Sequence, residues 1–176
     1  YTSAETYKGN YYSSVNNLTG KELLKGLHNL MMDTHTTYVS YDSLKTTLKE
    51  SDQYQNTSYA TCFYSGTKAT SFNREHVWCQ SLSGSSSSSS TNLYGTTYGG
   101  SDIHHIRPSI SSYNSLRSNA AYGIIYGPKQ GLKNIPYANG EKSYVASGVI
   151  EPADAIKGDC ARIVMYMYMH YSSSIV

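Results

Sequence analysis

The side chains best suited to chemistry are concentrated in three short stretches of the sequence. They are the run Asn73-Arg74-Glu75-His76, the run Asp102-Ile103-His104-His105-Ile106-Arg107, and the pair Asn114 and Arg117 a few residues downstream. Asn114 and Arg117 are three residues apart, so on a helix they would share one face. An imidazole, a carboxylate, an amide oxygen and guanidinium groups could therefore meet at one place.

These residue types match the needs of phosphodiester hydrolysis. The reaction requires a base that deprotonates water, positive charge for the pentacovalent phosphate, and a way to neutralise the leaving oxygen. A neutral imidazole, with an ordinary pKa of about 6.5, is a competent base near neutral pH. A carboxylate with an amide oxygen suits a hard divalent cation, and arginine binds phosphate through a planar, permanently charged group.

The elements that must position these residues are predicted to run in the order strand, long loop, strand, helix. We expect the first strand at residues 72–78, followed by a serine-rich insertion at 83–90. The second strand is expected at 102–107, where Pro108 should end it. Ser109 can then cap a helix that runs to about residue 119.

Further helices are expected on both sides of this unit. Thr19 and Glu22 have the spacing of a capping box, and the apolar residues that follow predict a helix at 21–36. A shorter helix is expected at 41–49, and an apolar face from Ile156 to Met167 predicts a C-terminal helix. Segment 129–148 is rich in glycine, proline and asparagine, so we assign it as loop.

Composition limits the class of protein. A chain of 176 residues fits one domain, and a net charge of only +2 excludes a polybasic nucleic-acid binder. It has no apolar run of 18 residues, so no membrane span is expected, and we expect any export signal to have been removed already. The three cysteines contain no CxxC pair, which excludes a zinc ribbon, and either one disulfide or three thiols is consistent with them.

Four motifs, in this order along the chain, resemble the motifs of a known family. They are Phe72-Asn73-Arg74-Glu75-His76-Val77-Trp78, Asp102-Ile103-His104-His105-Ile106-Arg107-Pro108, Asn114-x-x-Arg117-Ser118-Asn119, and Glu151-Pro152 with Lys157-Gly158-Asp159-x-Ala161-Arg162. Together they resemble the bacterial endonuclease I family of periplasmic and secreted nucleases, over roughly residues 23–170. The resemblance implies an α+β fold in which helices and long loops surround a ββα-metal (His-Me finger) core, here a single domain at 1–176. Cys79 departs from the family, where proline is common.

The resemblance also implies roles for individual residues. His76 would be the general base, and Glu75 and Asn114 would hold one Mg²⁺, with Ca²⁺ or Mn²⁺ as alternatives. The remaining candidates are Arg107 as a catalytic phosphate contact and, as substrate-binding residues, Arg117, His104 and His105. Two choices stay open at this point: which arginine is the main phosphate contact, and which of the two adjacent histidines faces the site. Two other pairs, His28 with His35 and Asp159 with Arg162, are interpreted as structural.

The function implied by the resemblance is a secreted, metal-dependent endonuclease that cuts DNA with little sequence preference and leaves 5′-phosphate ends. RNA is an alternative substrate, and attachment to the cell surface is an alternative location. We expect a monomer without membrane contact. Two rival hypotheses are a tyrosine-rich module that binds nucleic acid without cutting it, and a zinc hydrolase that uses His76, His104 and His105.

Overall fold

The computed structural model of the chain describes residues 9–37, 39–79 and 99–172 and shows a mixed α+β architecture. The predicted serine-rich insertion at 83–90 lies outside these residues. In chain order the described elements are α1 Gly20–Thr34, α2 Leu44–Ser51, β1 Ala60–Thr61, β2 Lys68–Ala69, β3 Asn73–His76, β4 Ile106–Ser109, α3 Ser111–Arg117, β5 Ala121–Tyr122, β6 Lys133–Pro136, β7 Lys142–Ala146, β8 Val149–Glu151 and α4 Asp154–Tyr171.

The four helices lie close to where the sequence predicts them. α1 and α4 pack against each other, and α2 buries Leu44 and Leu48 completely. Thr19 is the N-cap of α1, but its side chain makes no capping hydrogen bond. The expected capping box is therefore wrong in its side-chain contact and right in its position. In the same way, α3 begins after Ile110 without a side-chain cap, so Ser109 does not cap it.

β3 and β4 form a two-stranded antiparallel ribbon, and α3 follows directly. The register pairs Arg74 with Pro108 and His76 with Ile106. The expectation that Pro108 ends the strand is wrong, because this proline lies inside β4. A two-stranded ribbon consists only of edge strands, where the missing N–H of proline is tolerated. The carbonyl of Pro108 accepts a hydrogen bond from the Phe63 N–H at 2.8 Å on the other side.

A four-stranded sheet includes two strands, β6 and β7, in the segment that the sequence assigns to loop. Its strand order is β5-β8-β7-β6, with β5 parallel to β8 and the other neighbours antiparallel. Ser147 and Gly148 both have positive φ and join β7 to β8, which is the geometry of a two-residue hairpin turn. The loop assignment at 129–148 is therefore wrong, because glycine and asparagine there mark hairpin turns between short strands.

The described residues form three hydrophobic core clusters, and the β3–β4 ribbon contacts two of them. The first lies between the four-stranded sheet and α4 and includes Ile135, Ile150 and Ile156. The second joins α2 to β1 and to Ile106 of β4, and the third packs Val77, just after β3, against α4. The ribbon is thus fixed from both sides by apolar contacts.

Two of the cysteines contribute buried thiols to these clusters. Cys160 belongs to the first and Cys62 to the second, while Cys79 is partly exposed.

Among the described residues, no helix combines the length and the apolar character that a bilayer-spanning segment needs.

The four-stranded sheet can be tested with two isoleucines that differ in burial. Ile150 is 0% exposed on β8, and Ile124 is 66% exposed. We expect Ile150→Ala to lower the free energy of unfolding by about 2–5 kcal/mol, because it leaves a cavity in the core. Ile124→Ala should change it by less than about 0.5 kcal/mol. Urea unfolding followed by circular dichroism measures both, and equal effects would contradict the sheet.

Candidate functional site

His76 is the last residue of β3, and its ring is fixed by its surroundings. It stacks on the Tyr41 ring at a centroid distance of 5.8 Å, and its Nε2 lies 3.0 Å from the carbonyl oxygen of Gly100. A carbonyl can only accept a hydrogen bond, so Nε2 carries the proton of the neutral ring. Nδ1 is then the nitrogen that carries the lone pair.

The environment of His76 also favours the neutral ring. Burial lowers its pKa most, and the nearby guanidinium groups of Arg74 and Arg117 lower it further, while the Gly100 carbonyl opposes them in part. The resulting pKa lies below the ordinary value for histidine, so the ring is unprotonated at neutral pH. A neutral imidazole with a fixed tautomer is the form that can accept a proton from water.

The carbonyl groups that orient this region come from a turn at residues 99–102. The Asp102 N–H donates to the Gly99 carbonyl at 2.8 Å, and His105 Nε2 lies 2.8 Å from the same oxygen. His105 is 1% exposed, and burial lowers its pKa to about 3. Its ring lies 5.6 Å from that of His76, so this neutral imidazole packs behind the candidate base.

Glu75 and Arg117 form a buried ion pair beside His76. Both residues are 2% exposed, and the Arg117 Nη1 atom lies 3.1 Å from Glu75 Oε1. The Tyr64 hydroxyl donates to the same oxygen at 2.8 Å. Burial raises the pKa of Glu75, and the Arg117 charge opposes that change. Both polar contacts that described residues make with this carboxylate use Oε1, so Oε2 is the oxygen available to an ion.

Arg117 also holds the end of β3 through its backbone. Its Nη1 donates to the His76 carbonyl at 3.0 Å, and its Nη2 donates to the Val77 carbonyl at 2.9 Å. One guanidinium therefore connects α3 to the carbonyl groups of both His76 and Val77. The position of Asn114, one turn earlier on α3, is fixed relative to Glu75 by the same contacts.

A cavity of about 430 Å³ brings these side chains together. It is lined by Arg74, Glu75, His76, Cys79, Asn114, Arg117, Ser118 and Asn119. The predicted base and both predicted metal ligands thus lie at one cavity, together with one of the two candidate arginines. Within the described part of the chain, no residue hydrogen-bonds the Asn114 side-chain amide, so its oxygen is available in the cavity.

Three predicted site residues lie elsewhere in the described structure. His104 is exposed and contacts Asp102, whose Oδ1 lies 2.9 Å from its Nδ1. Arg107 donates to the carbonyl groups of Ile103 and Ile106, both at 2.8 Å, and His105 is buried behind His76. None of the three lines the cavity described above. Their predicted contacts with substrate therefore stay predictions, and this geometry does not favour them.

Sequence reasoning missed several residues that shape the site. Tyr64 bridges Glu75 and Tyr122, whose hydroxyl lies 2.6 Å from its own, and Gly100 supplies the carbonyl that orients His76. No spacing signal distinguishes two tyrosines among 19. Arg74 is given no role by the sequence analysis, yet it lines the cavity and its guanidinium carbon lies 3.6 Å from the centroid of the Tyr41 ring. Its position next to Glu75 in the run Asn73-Arg74-Glu75-His76 was the signal that could have identified it as a site residue.

Comparison with known proteins gives two kinds of match. The model of the family described as Endonuclease I matches residues 3–176. Extracellular ribonuclease from Bacillus subtilis (strain 168) is 31% identical over 173 residues, which is 92% of this chain and 53% of that protein. Extracellular ribonuclease from Bacillus amyloliquefaciens gives the same identity and coverage. The chain thus spans about half the length of these relatives. No solved structure gives a significant match.

The buried ion pair allows a double-mutant test. We expect Arg117→Met to lower the free energy of unfolding by about 3–5 kcal/mol, because it leaves the Glu75 charge buried without its partner. Adding Glu75→Gln should recover part of that loss, since the amide removes the unpaired charge. Urea unfolding in the presence of a chelator measures the four proteins of the cycle. Strictly additive effects would show that the two side chains do not interact.

Proposed function

Because the chain belongs to the endonuclease I family, we propose that it is a secreted, metal-dependent endonuclease that hydrolyses phosphodiester bonds with little sequence specificity. The observation that carries this proposal is that His76, Glu75 and Asn114 line one cavity. The proposed substrate is DNA. RNA is the second candidate, because both curated relatives are named extracellular ribonucleases.

In the proposed reaction His76 is the general base. Its Nδ1 removes a proton from the water that attacks phosphorus, while the Gly100 carbonyl holds the Nε2–H and therefore the orientation of the ring. The charges of Arg74 and Arg117 lower the pKa of this imidazole, so the proton it gains is readily released again. As the water oxygen bonds to phosphorus, the bond from phosphorus to O3′ breaks, and the leaving O3′ takes a proton from solvent water. The products carry a 5′-phosphate and a 3′-hydroxyl.

The metal proposed for this site is Mg²⁺, with Ca²⁺ or Mn²⁺ as alternatives, held by Glu75 and Asn114. The donor set fits a hard cation, because it consists of a carboxylate oxygen and an amide oxygen in an open cavity. When bound, such an ion supplies positive charge for the phosphate and for the leaving oxygen. Arg117 and Tyr64 keep the Glu75 carboxylate in place through Oε1, which leaves Oε2 for the ion.

Arg74 is the arginine that we propose as the main phosphate contact. It lines the same cavity as His76, and its guanidinium lies over the Tyr41 ring. Its Nη1 donates to the Tyr41 carbonyl and lies 3.8 Å from the exposed Asp42 carboxylate. Arg107 lies outside the lining of the cavity, and the guanidinium of Arg117 is engaged by Glu75 and by two backbone carbonyl groups. Contacts to phosphate rather than to base edges carry no sequence information, which accounts for broad cleavage.

We further propose that β3, β4 and α3 form a ββα-metal core within a single domain that acts as a monomer. The support is the order of the elements, an antiparallel ribbon followed at once by a helix that carries Asn114. Secretion is proposed from the relatives, which are named as extracellular proteins.

We expect His76→Ala to bind DNA and to lose cleavage by about 10²–10⁴-fold, the usual contribution of a general base. Nicking of supercoiled plasmid in Mg²⁺ measures the rate, and circular dichroism checks the fold. His104→Ala tests the zinc alternative. If His76, His104 and His105 held a catalytic zinc ion, His104→Ala and His76→Ala would reduce the cleavage rate equally. If His76→Ala cuts within threefold of the unmodified chain, the assignment of the base is wrong.

Two asparagines that line the cavity provide a matched test of the metal site. Asn114→Ala should raise the half-saturating Mg²⁺ concentration by about 10- to 100-fold, since even outer partners of metal ligands have effects of that size. Asn119→Ala removes the same chemical group from the same cavity and should leave that concentration nearly unchanged. Titrating Mg²⁺ against the cleavage rate distinguishes them, and an equal response would place the ion elsewhere.

A further inference from the structure

A second group of possible metal ligands lies outside the cavity that contains His76. His35 follows the end of α1, Asp102 belongs to the turn before β4, and His170 lies in the last turn of α4. Their candidate ligand atoms all lie within 4.8 Å of one another. We call these three residues the His-Asp-His cluster. The proposed nuclease reaction uses none of them.

The two imidazoles of the cluster face each other through their ring nitrogens. His35 Nδ1 lies 2.9 Å from His170 Nε2. Two imidazole nitrogens at this separation are close enough to bind the same ion. Without an ion, one of the two facing nitrogens must donate to the other. With an ion, both can present lone pairs to it.

The carboxylate of Asp102 is buried. It accepts hydrogen bonds from three neighbouring residues, His104, Tyr166 and Tyr171. The Tyr166 and Tyr171 hydroxyls both donate to Oδ2 at 2.7 Å, and the backbone and ring of His104 contact Oδ1. Carboxylates that bind metals are held by outer hydrogen bonds of this kind.

The structure also provides a route and a further oxygen near the cluster. A cavity of about 540 Å³ is lined by His35 and His170, with Thr34, Ile103 and Tyr166 among its other lining residues. The Tyr171 hydroxyl lies 3.4 Å from His35 Nδ1, so it stands between the imidazole and the carboxylate. An entering ion would either displace this hydroxyl from Asp102 or bind it as a further ligand.

We propose that the His-Asp-His cluster is a second metal site, which binds Zn²⁺ and stabilises the fold. Two imidazoles and one carboxylate form a ligand set that suits Zn²⁺, with the fourth position taken by water or by the Tyr171 hydroxyl. The ion would join the ends of α1 and α4 to the turn at 99–102. That turn supplies the Gly99 and Gly100 carbonyl groups that contact His105 and His76. This proposal does not depend on the proposed nuclease reaction.

The test uses the full chain after removal of metals with a chelator. We expect isothermal titration to give one Zn²⁺ per chain, with a rise in the melting temperature, and Co²⁺ to give the visible absorption of a tetrahedral site. His35→Gln and His170→Gln should each weaken Zn²⁺ binding by about tenfold or more and abolish the rise. His35 lies at a helix end and is half-buried, so we expect its variant to fold.

Glu75→Gln is the control that separates this site from the cavity containing His76. It should leave Zn²⁺ binding and the rise in melting temperature unchanged. The proposal is overturned if the unmodified chain binds no Zn²⁺ stoichiometrically, or if both histidine variants bind it as the unmodified chain does. Loss of Zn²⁺ binding in Glu75→Gln alone would also overturn it, because the ion would then occupy the other cavity. All these measurements are independent of cleavage activity.

Discussion

The relative placement of β3 and α3 depends on one buried guanidinium. Arg117 pairs with Glu75 and donates to the carbonyl groups of His76 and Val77, so a single side chain spans the ribbon and the helix. A buried ion pair is seldom a net source of stability, because the loss of hydration offsets the attraction. Its consequence here is geometric, since it fixes Asn114 relative to Glu75 and His76.

The turn at residues 99–102 is the second constraint, and it requires glycine. Gly99 has φ of +53°, and the Tyr171 ring occupies the space where a Cβ atom would lie. Any other residue would be strained by its backbone and would also push against that ring. The same turn presents one carbonyl to His105 and the next to His76. The end of α4 therefore packs on the same turn that orients the candidate base.

The proximity of Glu75, His76 and Asn114 was easier to predict from the sequence than the scaffold around them. Glu75 and His76 are adjacent in the chain, so the prediction of a strand was enough to place them together. Asn114 was placed by the helical spacing of α3. The strands at 133–136 and 142–146 were missed because they are short, half polar and bounded by turn residues. Arg107 and His104 were placed by motif alone, whereas their contacts depend on how the chain turns at 102–105. Tyr64 could not be found because its contact with Glu75 depends on the packing of the first core cluster.

The two candidate metal sites differ in ligand chemistry, and that difference decides which ion each would take. The cavity at Glu75 and Asn114 offers oxygen atoms, which Mg²⁺ prefers, and the His-Asp-His cluster offers two nitrogen atoms, which favour Zn²⁺. The segment between Gly99 and Asp102 lies next to both, because Gly100 contacts His76 and Asp102 belongs to the cluster. An ion held by Asp102 would restrict that segment and thus the carbonyl that keeps the proton on Nε2. In this way an ion at the His-Asp-His cluster would keep the lone pair on His76 Nδ1, which the proposed reaction requires.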